Sequence, residues 1–176
     1  MDLIIETERL ILRPLELSDA DDFFIMNNNP KVNTYLRNPI KTITEAKQYV
    51  KKIIDDYQNI DIARFAVILK ETNKLIGFSG LKFRNTEENN HVNFHDLGYR
   101  FSEEYWNNGF ATEAAIAWLD YGFNEMKLST IFACAFIENS GSNKVLNKLG
   151  FKFMNQYSVN NTILNWYKID KQKYIK

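Results

Sequence analysis

The chain has 176 residues, 45% apolar and 25% charged, the profile of a globular protein with enough material for one core. Lys plus Arg and Asp plus Glu each total 22, so the formal net charge is zero, and no overall basic field exists to draw in nucleic acid or an anionic membrane. The longest apolar run, residues 131–137, falls far short of the ~20 residues of a spanning helix. No secretory signal is visible after Met1 and the one cysteine, Cys134, excludes an internal disulfide, so a cytoplasmic enzyme or binding protein is expected.

Residues 8–16 (ERLILRPLE) alternate apolar and polar side chains and read as a strand. Ser18-Asp19-Ala20-Asp21 reads as a helix start with Ser18 as cap, and Asn27-Asn28-Asn29-Pro30 as the loop that ends it. Thr42-Ile43-Thr44-Glu45 is a capping box. The helix it opens runs to Tyr57, with Ala46, Tyr49, Val50 and Ile53 at helical spacing. Residues 64–69 and 75–83 read as strands around a hairpin turn, residues 85–90 as a loop and residues 92–101 as the next strand. The turn at residues 105–109 opens a helix over residues 109–123, with Ala111, Ala114, Ala115, Trp118, Leu119 and Gly122 on one face. Residues 129–137 form a nearly continuous apolar strand, expected to be buried on both faces with Cys134 as an inert buried thiol. A short helix over residues 140–149 stops at Gly150, which suits a left-handed cap. Residues 151–159 and 162–169 close the chain as an antiparallel pair around Asn160-Asn161. The order β-α-α-β-β-β-α-β-α-β-β predicts a mixed α/β sheet in a single domain, residues 1–176.

The most informative stretch is Tyr105-Trp106-Asn107-Asn108-Gly109-Phe110-Ala111-Thr112-Glu113-Ala114. A strand, a small polar turn and a helix start present unpaired backbone N–H groups that bind phosphate without a basic side chain; a plain tight turn is the other reading of the same residues. The better-known phosphate loops are absent. There is no G-x-x-x-x-G-K-[ST] and no G-x-G-x-x-G after a strand, and Gly77-Phe78-Ser79-Gly80 reads as strand. His91 and His95 do not form a ligand-spaced cluster with acids, so no metal site is expected.

Three segments in register resemble the GNAT N-acetyltransferases, in particular the RimJ/RimL-type branch that acts on ribosomal-protein alanine or serine N-termini. Thr7-Glu8-Arg9-Leu10-Ile11-Leu12-Arg13-Pro14 is similar to the T-E-R-L-x-L-R-P opening of that branch. Leu97-Gly98-Tyr99 with Tyr105 to Ala114 is similar to its acetyl-CoA motif, and residues 138–151 (ENSGSNKVLNKLGF) to its E-N-x-x-S-x-x-V-L-x-K-L-G-F segment. The resemblance implies a mostly antiparallel, twisted mixed sheet with splayed central strands flanked by helices. It also implies acetyl-CoA as co-substrate. The pyrophosphate would sit on the backbone of Asn107, Asn108, Gly109, Phe110, Ala111 and Thr112. Asn108 stands where a second glycine-type residue is frequent, and Asn tolerates positive φ. The Leu97–Phe101 strand, through Leu97, Tyr99 and Phe101, would pair with the pantetheine amides. Asn139, with Asn143 beside it, would contact the pantetheine arm, or Asn139 would cap the following helix.

Acetyl transfer to an amine needs a neutral nucleophile, a donor for the oxyanion and a proton for the leaving thiolate. No covalent enzyme intermediate is required. Many family members use a helical Tyr as the acid; Leu146 occupies that position here. Ser142 is therefore the candidate acid, with Ser140 as runner-up, although a Ser at a helix start is also a common cap. Asp96 and Glu138 are the candidate bases, and His95 alternates with Asp96 onto the opposite face. The acceptor is a primary amine, on a protein N-terminus or on a small molecule such as an amino acid, polyamine or aminoglycoside. Residues 27–39 and the first two helices would line its site. A non-catalytic acyl-CoA-binding module is the alternative. The chain is a monomer, or a homodimer through its last strands.

Overall fold

The computed structural model describes residues 3–36, 39–59 and 62–174. The strands are β1 (Ile5–Glu6), β2 (Leu10–Arg13), β3 (Arg64–Leu69), β4 (Lys74–Arg84), β5 (Phe94–Phe101), β6 (Thr130–Phe136), β7 (Lys152–Val159) and β8 (Thr162–Asp170). The helices are α1 (Ala20–Asn27), α2 (Pro30–Asn33), α3 (Ile43–Asn59), α4 (Phe110–Asn124) and α5 (Ser140–Lys148). The strands make one sheet in the order β1-β2-β3-β4-β5-β6-β8-β7. Every neighbouring pair is antiparallel except β5 and β6. Those two run parallel and share one register pair, Asp96 with Phe132, before they separate. The expected mixed sheet with splayed central strands is the sheet observed. Among the described residues no helix is long and apolar enough to cross a membrane.

Side-chain alternation assigns the two faces. Leu81, Leu97, Tyr99 and Phe101 share the face under α4, where Leu81 and Ile131 reach into the space that a Cβ on Gly122 would fill. Phe78, Lys82, Asp96 and Arg100 share the face under α1 and α3. There the Phe78 ring lies 5.3 Å from Phe23 of α1, and Lys82 Nζ is 3.3 Å from Asp56 of α3. The core runs through the sheet from Trp118 of α4, edge-on to Phe65 at 4.9 Å, to Tyr57 of α3 on the other side of Phe65 at 5.3 Å. The Tyr57 hydroxyl donates to Arg64 O (2.6 Å) and accepts from the Leu15 amide (3.0 Å), which fixes α3 to the strands.

Several local expectations change in the fold. The first strand shrinks to Leu10–Arg13 and gains the short partner Ile5–Glu6. Ser18 is not the cap: the Glu16 amide donates to Asp19 (2.8 Å), whose carboxylate also takes both Arg13 guanidinium nitrogens at 2.7 and 2.8 Å. The Asn-Pro loop contains a helical turn, Pro30–Asn33. Asn29 Oδ1 caps it by accepting from Lys31 N and Val32 N, with Pro at the position where it is favoured. Residues 37 and 38 of the acceptor-side loop lie outside the described residues. Strand β6 is fully buried on one face only. Ile131, Ala133 and Ala135 are buried, whereas Phe132, Cys134 and Phe136 are half-buried. That second face is covered by the β4–β5 connection and β8 rather than by a helix. His91, Phe94 and Trp166 rings lie 4.8, 5.3 and 5.3 Å from Phe132. Gly150 takes the left-handed conformation expected of it (φ 83°), as do Asn160 and Asn161 in the final hairpin.

Candidate active site

The turn after β5 is held from within. The Trp106 indole Nε1 donates to Phe101 O (2.8 Å), and Asn108 Nδ2 donates to Trp106 O (3.0 Å). Two residues take left-handed backbone, Asn107 (φ 62°) and Gly109 (φ 83°). The sequence reading placed positive φ on Asn108; it falls on its neighbour Asn107, and Asn is one of the few side chains that tolerates it. Gly109 is the residue before α4, and its carbonyl takes the Glu113 amide (3.0 Å) as the first helical bond. The amides of Phe110, Ala111 and Thr112 therefore precede any helical acceptor and point out of the helix start. Asn107, Asn108 and Gly109 are exposed, and Ala111 and Thr112 are half-buried. The Phe110 side chain is buried under the Arg9 guanidinium, 4.4 Å from its ring centre, so Phe110 offers only its backbone here.

Glu113, in the first turn of α4, clasps this turn to the N-terminal hairpin. Its carboxylate accepts from the Thr7 hydroxyl (2.6 Å), the Arg9 amide (2.9 Å) and Arg9 Nε (2.7 Å), while Arg9 Nη1 donates to Asn108 O (3.1 Å). Burial pushes the Glu113 carboxyl up, but these donors outweigh it and hold it below the usual carboxylate range. Sequence reasoning missed this clasp. Its signal was the presence of Thr7 and Arg9 in one matching segment and Glu113 in another.

Between β5 and β6 the backbone is open. The Ser102 amide bonds Ile76 O on the β4 side, so alternation turns Tyr99 and Phe101 toward β6. The Ile137 amide bonds Ile163 O on the β8 side, which turns Cys134 and Phe136 toward β5. The Phe101 and Phe136 carbonyls are taken, by Trp106 Nε1 and by Asn143 Nδ2 (2.9 Å). The amides of Tyr99, Phe101, Cys134 and Phe136 and the Tyr99 and Cys134 carbonyls line the splay beyond the Asp96–Phe132 pair. Leu97 and Phe101 point their buried side chains under α4 and contribute backbone only. The Tyr99 side chain crosses to α5, its hydroxyl 3.2 Å from both Ser142 Oγ and Ser142 O. Burial pushes this phenol above its ordinary range, with the Ser142 hydrogen bond opposing, so it is neutral at pH 7.

The start of α5 sorts the other candidates. Asn139 Oδ1 accepts the Ser142 amide (3.0 Å), the capping role weighed for it. Asn143 is fully engaged. Its Nδ2 donates to Phe136 O, Ile137 O and Asn139 O at 2.9, 3.3 and 2.7 Å, and its Oδ1 accepts from Asn165 and Tyr167 at 2.9 and 2.7 Å. It builds the end of β6 and has no polar capacity left for a cofactor, which corrects its expected role. Ser142 is half-buried beside Tyr99, Ser140 is exposed, and Leu146 points into the core.

Asp96 departs furthest from expectation. It is 5% exposed, and its carboxylate is held by Arg64 Nη2 (2.8 Å), Arg84 Nε (3.0 Å) and Arg84 Nη2 (3.2 Å). Burial pushes its carboxyl up, but the two guanidiniums outweigh that and hold it below the usual range. A carboxylate so fixed is a brace at the closed end of the splay and a poor proton acceptor. His95 lies on the opposite face against Phe83. Glu138 is exposed at the open end, and its carbonyl takes the Tyr35 hydroxyl (3.4 Å), with the Tyr35 ring edge-on to Phe136. The structure thus brings Tyr99, Ser142 and Glu138 to the open end and leaves Asp96 at the closed one. Among the described residues no cluster of His, Cys, Asp or Glu could hold a metal ion.

Residues 9–152 match the model of the acetyltransferase (GNAT) domain, and the chain belongs to that family. It is 35% identical over 147 residues to the uncharacterized N-acetyltransferase p20 of Bacillus licheniformis, covering 83% of this chain and 80% of that one. Among solved structures it is similar to a GNAT-family acetyltransferase from Bacillus anthracis (29% identity, TM-score 0.81, 97% and 99% of the two chains). It shares the fold of RimL, a ribosomal L7/L12 alpha-N-protein acetyltransferase solved in complex with coenzyme A (16% identity, TM-score 0.79, 96% and 98%). The protein is a GNAT-family N-acetyltransferase; its fold is one that binds acyl-CoA, and its family chemistry is acetyl transfer to an amine.

Proposed function

We propose that this protein moves an acetyl group from acetyl-CoA to a primary amine by direct attack, with the pyrophosphate on the α4 start and the pantetheine between β5 and β6. The observation that carries the reading is the meeting of two sets of unmatched amides at one end of the central strand pair β5–β6, residues 110–112 and the splay. The neutral amine attacks the thioester carbon. The C–N bond forms, the C–S bond breaks, and the splay amides donate to the oxyanion. The Ser142 hydroxyl, beside the Tyr99 hydroxyl, passes a proton to the thiolate and takes one back from water, which restores it for the next turnover. The proton lost by the amine leaves through water at the mouth where Glu138 is exposed. Asp96 takes no part in proton transfer. The acceptor sits on the α1–α3 face. A protein N-terminus is the class that the likeness to RimL supports.

Calorimetric titration with acetyl-CoA tests this, with Gly109→Glu as control. At φ 83° any L side chain is strained, and a carboxylate there repels phosphate. Saturable binding that the variant loses, followed by coenzyme A release with amines or N-terminal peptides, is the expected result. No binding by the folded wild type overturns the reading; binding without turnover across the panel favours a non-catalytic module.

A further inference from the structure

Arg100 is a cation without an acid. It lies on β5 between Tyr99 and Phe101, whose backbone lines the splay, while its own backbone faces β4 and its side chain points to the opposite face from α4, under α1 and α3. Its hydrogen bond is to Asn27 Oδ1, and its guanidinium lies 4.9 Å from the Phe78 ring centre. Asn27 is fully buried at the end of α1 and is oriented by its own Nδ2 bond to Phe23 O (2.6 Å), so its oxygen is fixed toward Arg100. Among the described residues no carboxylate reaches Arg100. Asp96, the buried acid on this face, is already shared by Arg64 and Arg84. Asp56 serves Lys82, and Glu103, just beyond β5, holds Lys31 and Asn29. Three guanidiniums therefore face α1 and α3 from β3, β4 and β5 against one buried carboxylate. Burial, with Arg64 adding to it and the Tyr49 phenol opposing, pulls the Arg100 guanidinium down to about 10, still charged at neutral pH.

A half-buried cation held by one neutral amide oxygen and a ring face has unspent capacity for an anion, and a guanidinium takes a carboxylate through two parallel bonds. The position matches such a ligand. Arg100 lies on the acceptor side of the sheet, one residue from the Tyr99 amide on the splay. The α1–α2 segment spans from Asn27, at Arg100, to Tyr35, over Phe136 on the far wall.

We propose that Arg100 binds a carboxylate carried by the amine acceptor, so that the substrates are amines with an acid group near the reacting nitrogen, and neither polyamines nor aminoglycosides. The inference rests on the acetyl-transfer reading above for its acceptor. Two sources supply this chemistry, the carboxylate of a free amino acid and an acidic side chain at the start of a peptide.

The test compares acid and amide partners. Amino acids are set against their carboxamides, and peptides beginning with Asp or Glu against those beginning with Asn or Gln, by coenzyme A release. N-acetyl amino acids and their amides are titrated calorimetrically into the folded protein, with and without coenzyme A. Wild type is expected to prefer acid over amide by about 10- to 100-fold in kcat/KM or affinity, the range of a charge-assisted hydrogen bond. Arg100→Gln is expected to shrink the preference to about 3-fold or less, and Arg100→Lys to restore part of it. Acetyl-CoA affinity and circular dichroism stay at wild-type values in both. The arm that shows the preference identifies the source. Equal handling of acid and amide by wild type, or a preference that survives Arg100→Gln, overturns the proposal. Acetyl-CoA binding without any acid preference sinks Arg100 alone. Arg100-dependent binding of the acids without acetyl-CoA binding sinks the acetyl-transfer reading and leaves the carboxylate site standing.

Discussion

Asp96→Asn removes one negative charge from between two guanidiniums while keeping the shape of the side chain. Arg64 is the residue that suffers. Its side chain is 11% exposed and also donates to the Gly80 and Asp96 carbonyls, whereas Arg84, 31% exposed, can turn toward water. Removing one partner of a buried ion pair costs ~3–5 kcal/mol. The retained amide oxygen and the freedom of Arg84 place this variant at the low end, about 3 kcal/mol. With a urea slope of ~2 kcal/mol per molar, the unfolding midpoint falls by ~1.5 M. The pH dependence has a definite sign. Because the Asp96 carboxyl titrates below its unfolded value in the fold, its stabilisation is complete above that value, near ~3.9, and is lost as pH falls through the lower folded value. The gap between wild type and variant is therefore constant at neutral pH and closes in acid. The acid limb of the kcat/KM profile, where a general base would titrate, keeps its shape, with its height lowered only as far as the fold is loosened. A loss under ~1 kcal/mol, together with disappearance of the acid limb from the rate profile, would refute the bracing role and restore Asp96 as the base.

Gly98→Ala tests the same cluster from the other side. A Cβ at Gly98 falls 2.3 Å from Arg64 Nη2, so the methyl must push the guanidinium off Asp96; a loss of ~2–3 kcal/mol is expected, strongly non-additive with Asp96→Asn in a double-mutant cycle. Glu113→Gln keeps an acceptor for Thr7 and the Arg9 amide but ends the ion pair with Arg9. Stability is expected to drop by ~1–2 kcal/mol and acetyl-CoA affinity severalfold, read by urea unfolding and calorimetry. Ser142→Ala is expected to lower kcat by ~100-fold with acetyl-CoA affinity unchanged, and Tyr99→Phe to lower it less; an unaltered kcat in Ser142→Ala would transfer the acid role to water.

The elements that sequence made legible are those with local causes. The helix start at Thr42-Ile43-Thr44-Glu45, the Gly150 stop and the final hairpin around Asn160-Asn161 all act within a few residues, and each sits where its spacing put it. The tight turn before α4 was legible for the same reason, although spacing does not show that positive φ falls on Asn107 rather than Asn108. The misreadings have long-range causes. Asp96 looked like a base because its partners Arg64 and Arg84 are 32 and 12 residues away. Ser18 lost its capping role to Asp19 because Arg13, on the preceding strand, fixes that carboxylate. Asn143 looked like a ligand contact until Asn165 and Tyr167, on β8, occupied its oxygen. The Asn29-Pro30 start of α2 was written in the sequence, but a run of three Asn before a Pro is also a loop signal.

The clasp on Glu113 sets a schedule for the growing chain. Thr7 and Arg9 are made before Glu113, which follows them by 106 and 104 positions. At ~5–20 residues per second the ribosome needs about 5–20 s to cover that interval. Strands β1 to β5 are sequential neighbours in the sheet and can zip together as they emerge. The N-terminal hairpin must wait, already folded or held open, for a carboxylate that arrives after five strands are complete. The turn is thus finished by a segment made about a hundred residues earlier, and its assembly reports that everything between has been made and put in place.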